Sequence, residues 1–100
     1  MNINSSEQNH NSFEQSEQLF DVSVELKMQS RQMERQAQKL EGEQKAQRKK
    51  ILDAMNKGQM DNAKIYAETV IRQKKEAQNV RRFGVKMGAL SSKIEGAART

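Results

Sequence analysis

The chain has 100 residues, of which 34% are hydrophobic, 31% charged and 4% aromatic, with no Pro, Cys or Trp and a formal net charge of +5. Only 18 residues are Leu, Ile, Val or Phe, below the roughly 20% at which composition begins to favour disorder, so a large core enclosing a dry catalytic pocket is excluded. The surplus lies in helix formers, because Ala, Glu, Lys, Leu and Arg make up 42 residues and Gln another 12, a balance that points to long solvated helices.

The absence of cysteine excludes disulfide scaffolds, thiolate catalysis and cysteine-based zinc sites. No apolar run approaches the roughly 18 residues of a membrane span, and the N-terminus lacks the basic and apolar regions of a signal peptide. A soluble, intracellular, non-enzymatic protein without a cofactor or metal is therefore expected. Residues 1–16, MNINSSEQNHNSFEQS, hold only Ile3 and Phe13 as large apolar groups and are expected to form a flexible polar head in which His10 is exposed and uncommitted.

A first helix is predicted over 17–57. Leu19, Val22, Leu26, Ser30, Met33, Ala37, Leu40, Gln44, Gln47, Ile51 and Met55 recur at steps of three and four, which is one stripe of one helix. Gln44 and Gln47 occupy apolar slots of that stripe, so the seam is expected to be weak there, and Gly42 marks the likeliest bend. A turn is predicted at 58–61, with Gly58 suited to a left-handed helix cap and Asp61 or Asn62 able to cap the next helix. A second helix, 62–100, carries its own stripe through Ala63, Tyr66, Ala67, Val70, Lys74, Ala77, Val80, Gly84, Met87, Ser91, Ile94 and Ala98. Its small residues admit a close neighbour, and Leu19, Leu26, Met33, Leu40 and Ile51 are expected to pack against Ala63, Ala67, Val70 and Ala77. The fold class is thus all-α, a long antiparallel two-helix hairpin.

Charge is sorted along the chain. Residues 1–25 contain five acids and no Lys or Arg, whereas the remainder holds all 18 basic residues against eight acids. On a helical wheel Lys27, Arg31, Arg35, Lys39, Lys45, Lys49 and Lys50 share an arc of about 140° away from the apolar stripe. Lys27, Arg31, Arg35 and Lys39 follow at strict four-residue spacing, where like charges repel. An anionic surface would offset that repulsion, so these seven residues are candidate contacts to an acidic membrane. Phe20, Tyr66 and Phe83 are too few to form stacking platforms, which makes nucleic acid the weaker partner. There is no Gly-rich phosphate loop, no paired His and no nucleophile beside a base.

The run Lys57-Gly58-Gln59-Met60-Asp61-Asn62-Ala63-Lys64-Ile65-Tyr66-Ala67-Glu68-Thr69-Val70-Ile71-Arg72-Gln73-Lys74-Lys75 resembles the turn and second helix of the charged multivesicular body protein 1 family of ESCRT-III proteins. Leu19-Phe20-Asp21-Val22 is similar to the family's opening, the basic run Arg48-Lys49-Lys50-Ile51 also fits, and the likeness covers about four-fifths of the chain. Val80 stands where the family tends to have an aromatic and Arg81 where it has an aliphatic residue. The resemblance implies the N-terminal hairpin of an ESCRT-III helical core. It also implies polymerisation with itself and with other ESCRT-III subunits on the cytoplasmic side of endosomal membranes, where filaments remodel and sever membrane necks in multivesicular body sorting. Disassembly in such a family is the work of an AAA ATPase that grips a C-terminal motif absent from this sequence. The competing expectation is a basic coiled-coil protein that binds a partner helix or nucleic acid.

Overall fold

With no proline in the chain and no glycine before Gly42, nothing in the first 41 residues breaks a helix. The computed structural model describes the backbone of residues 2–100 and the side chains of residues 12–100, and within it α1 spans Asn2–Asn56 and α2 spans Met60–Arg99. The helix start expected at 17 is therefore displaced to Asn2, and the residues expected as a polar head continue α1. Extending a nucleated helix costs far less than beginning one, so Asn and Ser do not stop it. The side chains of Ile3 and His10 lie outside the described residues. Gly42 is exposed within an uninterrupted α1.

The turn forms earlier than expected, at 57–59. Gly58 takes φ +74°, the Gln59 amide donates to the Ala54 carbonyl at 2.8 Å, and the Gly58 amide donates to the Met55 carbonyl at 3.0 Å. These two bonds make a Schellman closure, which satisfies carbonyls that the end of α1 would leave bare. The chain is then free to start α2 at Met60, and Asp61, expected within the turn, instead sits in the first turn of α2 where its charge complements the helix dipole.

The chain divides into two compact units, one made of Met1–Arg31 with Val85–Thr100 and the other of Gln32–Gly84. In the second unit α1 and α2 run antiparallel away from the turn. Ala37, Ala54, Ala63 and Ala77 are at most 5% exposed, and Gly84 is buried with them. Met33, Leu40, Ile51, Ala67 and Val70 are half-buried around this line. Small residues thus occupy the closest approach from both helices, and larger apolar groups flank it. Midway lies a polar layer: Gln44 is 8% exposed, and Gln44 Nε2, Gln47 Oε1 and Gln73 Oε1 are buried without a hydrogen-bond partner. Gln73 takes the inward position expected of Lys74, which is exposed.

In the first unit the seam is built on serine. Ser91 Oγ donates to the Ser23 carbonyl at 2.6 Å, and Ser23 Oγ donates to the Phe20 carbonyl at 2.6 Å within its own helix. A Cβ at Gly88 would stand 3.1 Å from Ser30 Oγ, so the backbones approach closely there and glycine suits the contact. Leu26 is half-buried, but Leu19 and Val22 are 39% and 44% exposed and line an open cleft with Gln15 and Gln18. The Ser23–Ser91 bond brings Leu19, one turn before Ser23, level with Glu95 near the end of α2.

Each unpartnered buried amide atom costs on the order of 1–3 kcal/mol. Replacing the layer with Q44L/Q47L/Q73L is expected to raise the melting temperature followed by circular dichroism by several degrees or more, at about 4–8 °C per kcal/mol for a chain of this size.

Candidate basic binding surface

The period that turns small residues of α1 inward turns its charges outward. In the unit Gln32–Gly84, Arg35, Lys39, Lys45 and Lys49 are exposed on the side of α1 away from Ala37, Gln44 and Ala54, and none of the four enters an ion pair among the described residues.

Lys50 differs from its neighbours. Its Nζ lies 6.0 Å from the centroid of the Tyr66 ring on α2, a cation–π separation, and it lines a small cleft beside the turn with Asp53, Ala54, Lys57, Gln59 and Tyr66. Lys50 thus leans along the edge of its own hairpin instead of outward with Lys49.

In the other unit Lys27 and Arg31 are exposed. Lys27 borders a cleft of about 110 Å³ formed with Phe20, Ser23, Val24, Ser91 and Glu95. Among the described residues no group of three His, Cys, Asp or Glu side chains could hold a metal ion, and no helix is long and apolar enough to cross a membrane.

Two acidic side chains near the basic face are held by α2, while Glu43 and Asp53 stay exposed on α1, four residues after Lys39 and Lys49. Arg81 Nη1 donates to Glu34 Oε1 and Arg81 Nη2 to Glu41 Oε1, each at 2.6 Å, which ties α2 to two points of α1 that lie about two turns apart within the second unit. The hydrogen bond to Glu41, with the charge of Glu34 adding to it, holds the Arg81 guanidinium above its ordinary value, so it stays a cation throughout the accessible pH range. This clamp draws two carboxylates to one flank of α1, and the outer face keeps an excess of base over the exposed Glu43 and Asp53. In the sequence Arg81 stands out only as a departure from a family pattern. The missed signal is positional, because Glu34 and Arg81 stand at nearly equal distances either side of Gly58.

The chain is 40% identical over 59 residues to charged multivesicular body protein 1 of Dictyostelium discoideum, covering 59% of this chain and 31% of that protein. It is 37% identical over 59 residues to the ESCRT-related protein CHMP1B of Arabidopsis thaliana, covering 29% of it, and 42% identical over 50 residues to charged multivesicular body protein 1b of Homo sapiens, covering 50% of this chain and 25% of the human protein. The matched stretch is shorter than the four-fifths the residues suggested, and it spans between a quarter and a third of the length of these curated relatives. No family model and no solved structure matches the chain.

R81M removes both cross-helix ion pairs. It is expected to lower the melting temperature at low ionic strength and by a smaller margin in about 1 M salt, where the Debye length falls to roughly 3 Å. Equal losses in both conditions would mean that Arg81 acts through packing.

Proposed function

Because the chain is a relative of the charged multivesicular body protein 1 family, we propose that it is an ESCRT-III subunit of multivesicular body sorting that assembles on acidic membranes and helps to remodel and sever membrane necks. The observation that carries this reading is the exposed row Arg35, Lys39, Lys45 and Lys49, without an ion pair among the described residues while Arg81 takes up Glu34 and Glu41. A row of like charges on neighbouring helical turns repels itself and is stabilised by an anionic surface, each basic residue near acidic lipid contributing about 1 kcal/mol.

The role is non-catalytic. The hairpin presents charge, and assembly with copies of itself and with other ESCRT-III subunits multiplies weak contacts by avidity. Membrane attachment in this reading is peripheral, on the cytoplasmic face of endosomes, with Lys27 and Arg31 as further contacts from the first unit. Lys50 contributes less, since its ammonium is directed to Tyr66.

Co-sedimentation with vesicles containing acidic lipid, across a salt series, tests the reading. R35E/K39E/K49E is expected to reduce binding on the order of 100-fold without loss of helicity, and K50Q to reduce it less than K49Q. Binding that is equal on neutral vesicles, or unchanged in the triple variant, would refute the basic face as the membrane contact.

A further inference from the structure

Arg81 governs more than the stability of the hairpin, because of what one of its carboxylate partners would otherwise reach. Glu41 has a single basic residue three or four positions away on its own helix, Lys45, and it is in turn the single acid at that spacing from Lys45. A Glu four residues before a Lys is the stronger of the two orders for a helical ion pair. Lys45 is nevertheless exposed and enters no ion pair among the described residues, and Glu41 Oε1 instead accepts from Arg81 Nη2 at 2.6 Å. Arg81 Nη1 also donates to Glu34 at 2.6 Å, so the fork is ordered by one carboxylate for the other, and a planar guanidinium loses less freedom per hydrogen bond than a lysine ammonium. Elsewhere in the basic row no such competition arises. Arg35 has no acid three or four residues away, and Lys39 and Lys49 precede Glu43 and Asp53 in the weaker order.

We propose that Arg81 is a positioning residue for the basic face: by holding Glu41 on the flank of α1 it withholds that carboxylate from Lys45 and leaves the Lys45 ammonium to an anionic surface. The contact crosses between the helices of the unit Gln32–Gly84, so it exists only while that part of the hairpin is closed. Closure and anion binding therefore favour each other, by the reciprocity that joins two equilibria sharing a group. Once α2 withdraws, Glu41 turns to the cation one turn along its own helix and the face loses that charge. The proposal rests on the membrane reading for the identity of the anion, whereas the exchange of partners by Glu41 takes place without lipid.

Two readouts test it, the first without lipid. Acylation of the full chain by an activated ester, resolved by site with mass spectrometry, reports whether Lys45 is engaged, since an amine paired with a carboxylate is held in its protonated, unreactive form. R81M is expected to slow acylation at Lys45 roughly twofold relative to Lys49, the effect of one helical ion pair, and R81M/E41Q to restore it. An unchanged rate at Lys45 in R81M overturns the proposal, as does a slowing at the exposed Lys74 of α2 in its place, or a slowing that E41Q leaves untouched. The second readout is co-sedimentation with vesicles containing acidic lipid. R81M is expected to bind about fivefold more weakly, the effect of one cation near acidic lipid, and R81M/E41Q to regain most of the loss. E41Q alone, with Arg81 in place, should change binding by less than about twofold, because that carboxylate is already neutralised. Comparing E41Q with and without Arg81 cancels any loss of stability that R81M brings, and equal gains in the two backgrounds mean that charges merely add, which also overturns the proposal. Should R81M lose helicity, R81Q takes its place and the same outcomes decide. A wild-type chain that ignores acidic vesicles while Lys45 acylation follows the expected pattern counts against the membrane reading alone.

Discussion

Close approach of two backbones through small side chains is the constraint on which the other features depend. Alanine from both helices fills the contact in the unit around the turn, and serine and glycine fill it in the other, with Ser91 Oγ reaching the Ser23 carbonyl at 2.6 Å. Such a seam removes little apolar area from water, and hydrophobic stabilisation scales with that area. The hairpin therefore leans on directional contacts: the Schellman closure at Gly58, the serine bond, and the Arg81 clamp across Glu34 and Glu41. Leu52, Ile65, Ile71 and Phe83 remain more than half exposed because small residues hold the inward positions.

That economy of core also explains how charge is distributed. A helix whose inner face is narrow keeps a wide outer arc, and the charges of α1 are all acidic up to Glu25 and mostly basic from Lys27 onward. Arg81 pulls Glu34 and Glu41 out of the basic stretch, and Tyr66 draws Lys50 aside, so cross-helix contacts decide which cations face outward. The glutamine layer works against stability in the same unit. Buried polar layers weaken a helical pair while restricting the registers in which it can close, and Gln44, Gln47 and Gln73 occupy that place here.

The two helices and the hairpin are legible in the sequence because three-and-four periodicity survives even where the inward residues are small or polar. Legibility fails where size and position part company. Leu19, Val22 and Met55 read as seam residues by hydropathy, yet they are exposed and Ser23 and Ala54 are buried in their turns, because a close approach selects small side chains over apolar ones. Residues 2–16 read as a head because Asn and Ser are poor helix formers, whereas the structure extends α1 through them, there being no proline or glycine to stop it. On the binding face, exposure of Arg35, Lys39, Lys45 and Lys49 follows from a helical wheel. The positions of Lys50 and Arg81 do not, since each is set by a residue on the opposite helix whose alignment emerges only once the turn is placed.

Gly58 is the single positive-φ residue among those described, and a Cβ built on it would meet nothing within 4 Å. Room is therefore not what the position lacks. Its demand is one of chirality: the backbone there lies in the mirror image of the region that natural L side chains prefer, and only the achiral residue enters it without strain. A synthetic chain carrying D-alanine at that point would meet the same demand from the opposite hand, gaining a methyl group while restricting the unfolded chain. The hinge between the two helices is in this sense selected by handedness, with size left free.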